Sequence, residues 1–272
     1  MLLGLNKNQK LPMDDQIKRL LEQLLPLLKQ LLPLLKGLDL HQIMNMIGEC
    51  GSFLMKYKIE CKENYFEPYS VNTAKLYNFL IADGSVTSEL INSGQIDVSG
   101  PLLYLGNIIE YELNASIGQA MRKILLDIEM PRYHMEWFPM DEDETEKDYE
   151  VPAGRGKLNL NRGYENPQTH NVKLLTSTIG DLCYAYKDML YDLEGDPDLE
   201  IIPEKLRQKD QNGHFFTFDF VRFGNLRNKA AHAGEVDMDV FDNAFKLYSR
   251  IVDEYMPAIA ELKSRLKTPP QN

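Results

Sequence analysis

The chain of 272 residues carries only three cysteines, Cys50, Cys61 and Cys183. They are odd in number, scattered, and not at metal-ligand spacing. That excludes a disulfide framework and a zinc module, and it predicts reduced thiols in a cytoplasmic protein. Histidine is nearly as scarce, with five in the whole chain. No metal and no cofactor is therefore expected. No glycine-rich phosphate loop and no dinucleotide fingerprint occurs anywhere. No stretch reaches the roughly 18 uncharged apolar residues of a membrane span. The leucine-rich start is interrupted by Lys29 and Lys36, and no small-residue cleavage site follows it. A membrane partner is not expected. Positive charge is also short: 30 Lys and Arg stand against 41 Asp and Glu, a net charge of −11. This excludes an extended nucleic-acid-coating surface but leaves room for one local basic patch.

What is present divides the chain into three parts. Residues 1–40 form a leucine-rich arm in which Pro26 and Pro33 keep a seven-residue register. Its leucines recur as in a coiled-coil seam, and its prolines would kink any helix there. The arm is expected to pack on protein, either a second copy or this chain's own core. Residues 41–100 read as a mostly helical subdomain that names no ligand. Residues 101–272 read as a helical bundle. Its first helix is expected over 102–130, with Leu105, Ile109, Leu113, Ile117 and Met121 facing inward and Glu110, Glu112 and Asn114 as candidate polar partners. A second helix is expected over 172–193, with Leu175, Ile179, Leu182, Tyr186 and Met189 inward. Between them, 132–171 reads as a long irregular insertion, acidic over 141–150 and then basic at Arg155, Lys157 and Arg162. Such a segment is either a surface loop or a lid.

The densest chemistry lies at Arg227-Asn228-Lys229-Ala230-Ala231-His232. If 217–233 is helical, Phe216, Phe220, Phe223, Arg227 and Ala230 share one stripe. An arginine on an apolar stripe must pair or bind an anion. Asn228 and His232 are four apart and share a neighbouring face. Gly234 is expected to end the helix, which puts His232 in the last turn, where the helix dipole favours the imidazolium. A further amphipathic helix is expected over 237–267. The linker before the motif carries Lys205, Arg207, Lys209 and His214; with Arg222, Arg227 and Lys229 this is the most basic part of the chain. The plainer reading of the motif is an Arg227 paired with a core carboxylate and a satisfied histidine at a helix end.

Arg-Asn-x3-His ahead of a C-terminal amphipathic helix resembles the signature of the HEPN superfamily. The resemblance extends over 101–267 at most, and its specific match is the hexapeptide Arg227–His232. It implies an all-α fold, an antiparallel HEPN-like helical bundle, here with an N-terminal helical extension. It also implies one of two functions. The first is a metal-independent endoribonuclease of a defence or toxin-type system, cutting single-stranded RNA at a composite site built from two motifs in a homodimer. Arg227, Asn228 and His232 would then be catalytic, and Arg222 and Lys229 would bind substrate. An antitoxin or defence-system protein is an expected partner. The second is a non-catalytic interaction or regulatory module that dimerises or binds a partner protein. One toxin subgroup of the family carries a tyrosine two residues after the histidine; here that position is Gly234, so regulation by modification there is not implied.

Overall fold

The computed structural model describes residues 55–84, 98–126, 137–139, 150–160, 163–169, 171–174, 176–233 and 236–267, with residues 48, 51 and 53. The chain divides into two units, Met1–Phe53 and Leu54–Asn272. The leucine-rich arm lies outside the described residues. The second unit takes in residues 54–100 together with the expected bundle.

Helix α1 (Pro68–Gly84) opens on a proline, which costs nothing at a first turn whose N–H has no helical acceptor. Its buried residues Ser70, Thr73, Ala74, Tyr77 and Ile81 form a helical stripe. That stripe packs on α2 (Ser99–Leu113). One widened turn, Asn114–Gly118, joins α2 to α3 (Gln119–Leu126). No residue between Ser99 and Leu126 is exposed. α2 meets α1 and three later helices, and it is the centre of the unit.

The widened turn frees backbone carbonyls that need donors. Asn114 donates to the Glu110 carbonyl at 2.7 Å and to the Ser177 carbonyl at 2.8 Å, and accepts from the Ser177 N–H at 2.8 Å. Ser116 donates to the Glu112 carbonyl at 2.6 Å. One amide side chain thus satisfies the bulge and fixes the segment that leads into the next helix.

The 132–171 insertion contains strands, which corrects the all-α expectation. β1 (Trp137–Pro139), β4 (Gly163–Glu165) and β5 (Asn171–Leu174) make a three-stranded antiparallel sheet in the order β1-β5-β4. β2 (Glu150–Ala153) and β3 (Gly156–Asn159) form a hairpin turned at Gly154-Arg155. Gly154 has φ +63°, which glycine tolerates without strain. Its N–H bonds the Asp188 carboxylate at 2.7 Å and docks the turn on α4 (Ile179–Asp192). Val151, Leu158 and Leu160 are the hairpin's buried side chains. The acidic run 141–149 and Arg162 lie outside the described residues; Lys157 pairs with Glu150 at 2.8 Å within the hairpin.

α4 starts later than expected because 171–174 is a strand. Thr178 caps it, accepting from the Asp181 N–H at 3.2 Å. Ile179, Leu182, Cys183, Tyr186, Met189 and Leu190 are buried along it. Leu175 lies outside the described residues. Gly195, at φ +87°, lets the chain leave the helix. A 3-10 turn (Pro197–Ile201) and the short α5 (Glu204–Arg207) follow. α6 (Thr217–Ala233) carries the motif, with Phe216, Phe220, Phe223 and Ala230 buried as expected. Its end at Gly234 lies outside the described residues. The expected single helix over 237–267 is two, α7 (Met238–Glu254) and α8 (Met256–Lys267). Pro257 lacks the N–H that a continuous helix would need there.

The polar face of α2 and α3 is not solvated. Glu112 is fully buried and accepts from the Lys263 ammonium at 2.6 Å and from the Glu67 N–H at 2.9 Å. Lys263 also donates to the Tyr65 carbonyl at 2.9 Å and pairs with Glu67 at 3.2 Å. Arg122 is buried against the Leu160 carbonyl, which accepts from Nε at 2.7 Å. Burial lowers the Arg122 pKa to about 10. Cys61 and Cys183 are free and buried.

Removing one member of a buried ion pair strands the other charge in the interior. Lys263→Met should therefore lower stability by about 3–5 kcal/mol. Adding Glu112→Gln should recover most of that loss. Urea titrations of the wild type and the three variants read both effects; an additive double mutant would refute the coupling.

Candidate functional site

α6 lies against α2, α4 and α7. Its phenylalanine stripe faces inward, and Arg227 continues that stripe at the helix's C-terminal half. The Arg227 stem crosses Gly106 of α2. A methyl group placed on Gly106 would lie 2.5 Å from Cγ of Arg227 and 3.0 Å from Nε. The contact therefore requires glycine, even though an interior glycine costs a helix about 0.5–1 kcal/mol.

Beyond Gly106 the guanidinium meets Glu110, one turn further along α2. Nη2 stands 3.8 Å from the carboxylate, and the two side chains are 22% and 16% exposed. That is an ion pair without a tight hydrogen bond. Nη1 donates to Oδ1 of the adjacent Asn228 at 3.2 Å. Nε is buried with no hydrogen-bond partner. A guanidinium has five donors, so Arg227 retains capacity for an anion. Burial pushes the Glu110 carboxyl above its ordinary range; Arg227 and a hydrogen bond from the Thr176 side chain pull the other way, and the Asp181 charge adds to the rise.

Asn228, Lys229 and His232 are exposed. His232 occupies the last turn of α6. Arg227 and His232 are five residues apart, which on an ideal helix is about 140° of rotation and about 7.5 Å of rise. One copy of the motif therefore presents its arginine and its histidine on different faces, with Asn228 bonded to the first and in line with the second. Arg222 is exposed further toward the start of α6, with its guanidinium carbon 5.7 Å from the centre of the Phe218 ring. His214 stacks on that ring at 4.3 Å.

Of the candidate polar partners on the central helix, Glu110 meets Arg227, whereas Glu112 is committed to Lys263 and Asn114 to Ser177. Two contributors escaped the sequence reading. Gly106 had a signal: a glycine inside an otherwise strongly helical, apolar-patterned run has a packing reason. Thr176 had none, since it precedes α4 in an irregular segment. The insertion's aromatics that could stack on bases or anchor the loop are Tyr133, Trp137 and Tyr164; Tyr133 lies outside the described residues, and so do the side chains of Trp137 and Tyr164. Among the described residues no three His, Cys, Asp or Glu side chains gather as a metal site.

Two outcomes follow from this geometry. Gly106→Ala overpacks the Arg227 stem and should cost about 1–3 kcal/mol. In an Arg227→Ala background the same change should be neutral or stabilising, because the obstacle is gone and alanine suits a helix better. Denaturant melts of the four proteins decide; equal costs in both backgrounds would refute the contact. The second outcome concerns pH. The folded pKa of Glu110 lies above its unfolded value, so folding favours the protonated form. Its contribution is fully present below the unfolded value near 4.5 and is lost as pH rises through the folded one. Glu110→Gln should therefore raise the Tm at pH 7, with the gain shrinking toward pH 4. A lower Tm at pH 7 would show that the ion pair outweighs burial.

No family model matches the chain, and neither a curated protein nor a solved structure is found similar to it.

Proposed function

We propose that the chain is a HEPN-like, metal-independent endoribonuclease of a defence or toxin-type system, acting on single-stranded RNA as a homodimer. One observation carries the reading: a guanidinium with an unpartnered Nε and a loose carboxylate partner is bonded to exposed Asn228, and exposed His232 stands one turn beyond Asn228. Strand cleavage by the RNA's own 2′-hydroxyl needs a base, an acid and a cation for the phosphorane charge. His232 takes the 2′-hydroxyl proton. The 2′-oxygen attacks phosphorus, and the bond to the 5′-oxygen breaks. Arg227 neutralises the non-bridging oxygens, and Asn228 orients its guanidinium. His232 of the partner subunit gives the leaving oxygen its proton. The products are a 2′,3′-cyclic phosphate and a 5′-hydroxyl, and no water is consumed. One motif supplies one histidine, so two copies are needed to fill both proton roles. Arg222 and Lys229 hold the RNA backbone, a local cationic patch on an acidic protein.

A second reading is a non-catalytic dimerising module. It draws on the fastening of Arg227 by Gly106 and Glu110, which would also suit a structural arginine.

Cleavage of a single-stranded RNA pool by purified full-length protein separates the two. His232→Ala and Arg227→Ala should each lower the rate by roughly two to four orders of magnitude while circular dichroism stays unchanged. Arg227→Lys should recover only part, because an ammonium lacks the planar fork. An RNA with 2′-deoxy at the cut site should be inert. A folded wild type that cuts no RNA, or a His232→Ala protein that cuts at the wild-type rate, would overturn the enzyme reading. Variants that unfold would favour the module.

A further inference from the structure

The basic linker ahead of the motif is not used by the site above. Arg207 ends α5, and Lys209 follows it after one residue. Both face a cavity of about 320 Å³ that the end of α4 and the following turn also line. This is near the lower end of small-ligand pockets, about 300–1,000 Å³.

The walls have distinct chemistries. Leu190 and Leu199 are buried and give an apolar floor. Tyr191 and Phe215 meet edge to face, with ring centres 5.5 Å apart. The Lys209 ammonium lies 4.8 Å from the Tyr191 ring centre and 5.2 Å from that of Phe215. Arg207 Nε is buried and has no hydrogen-bond partner. Glu194 lines the same cavity, yet neither cation forms an ion pair among the described residues. On a chain of net charge −11, Arg207 and Lys209 bring two positive charges to one cavity wall, where they are available to an anion.

The cations are held in position. Residues 209–215 form a tight hairpin closed by a bridge between Lys209 and Phe215. The Asp210 carboxylate accepts from the N–H groups of Asn212 at 2.8 Å and His214 at 2.9 Å. These bonds hold the Asp210 carboxyl below its usual range. Gly195, with nothing within 4 Å of a would-be Cβ, adds bare backbone to the lining.

We propose that this pocket binds a nucleoside 5′-monophosphate or the terminal nucleotide of an RNA end. The phosphate lies between Arg207 and Lys209, the base lies against Leu190, Leu199 and the aromatic edges, and the Glu194 carboxylate accepts from the ribose hydroxyls. The pocket's residues are distinct from Arg227, Asn228 and His232, so it is a second site and stands apart from the ribonuclease reading.

Calorimetry on the full-length chain tests it with AMP, CMP, GMP and UMP, and with adenosine and inorganic phosphate as controls. At least one nucleotide should bind saturably, and at least tenfold more tightly than adenosine or phosphate. Lys209→Ala, a change at an exposed position, should weaken that binding about tenfold or more, the scale of one charge-assisted hydrogen bond. Arg207→Gln should weaken it at least as much. The proposal fails if no nucleotide binds, if phosphate alone binds as tightly, or if the Lys209→Ala protein binds unchanged. The readout uses no RNA cleavage, so its failure leaves the ribonuclease reading untouched.

Discussion

A carboxylate buried in the central helical run constrains everything around it. Glu112 has no access to water, and an isolated charge there would be prohibitively costly. Lys263 meets it from the far end of the chain, and the Glu67 N–H meets it from the segment ahead of α1. The same demand recurs along α2 and α3. Asn114 is answered by Ser177, Arg122 by the Leu160 carbonyl, and Glu110 by Arg227 and Thr176. These four polar groups thereby fix four different neighbours: the C-terminal helix, the start of α4, the hairpin and the motif helix.

These answers are not equally complete. Glu112 is tightly bonded from two sides and reads as architecture. The Glu110–Arg227 contact is looser at 3.8 Å and leaves Nε of the arginine unpartnered. The protein holds Arg227 by shape, through the missing Cβ of Gly106, more than by charge. A cation held by shape keeps donors free for an anion, which is the physical basis for placing function at this end of α6 and not at the equally charged Lys263. The Arg207–Lys209 pocket follows a similar logic on a separate surface: Lys209 is positioned by a backbone bridge and aromatic contacts, and neither cation forms an ion pair among the described residues.

Much of the helical layout was legible in the residues. The Phe216, Phe220 and Phe223 stripe specified α6 with its observed bounds, because period and burial agree there. Asp237 marks where α7 starts, since its side chain answers an orphan N–H locally; the equivalent cap at Thr178 was missed, and α4 was begun at 172 instead. The insertion was misread as irregular because its strands are three or four residues long. Short strands carry too few alternations to be told from loop, and their pairing partners are distant in sequence. The single helix expected over 237–267 failed at Pro257, a breaker that the apolar periodicity outweighed.

What the sequence determined by itself was therefore local: helical periods, caps, the glycine turns, the shortage of cysteine and of positive charge, and the grouping of Arg227, Asn228 and His232 on adjacent turns. Which of the polar residues on α2 would be buried, and which would face the motif, was decided only by tertiary structure. Glu110 and Glu112 are two residues apart and chemically alike, yet one meets Arg227 and the other Lys263. Their roles differ because two residues on a helix are about 200° of rotation apart, and only the packing of α6 on one side and α8 on the other assigns each its cation.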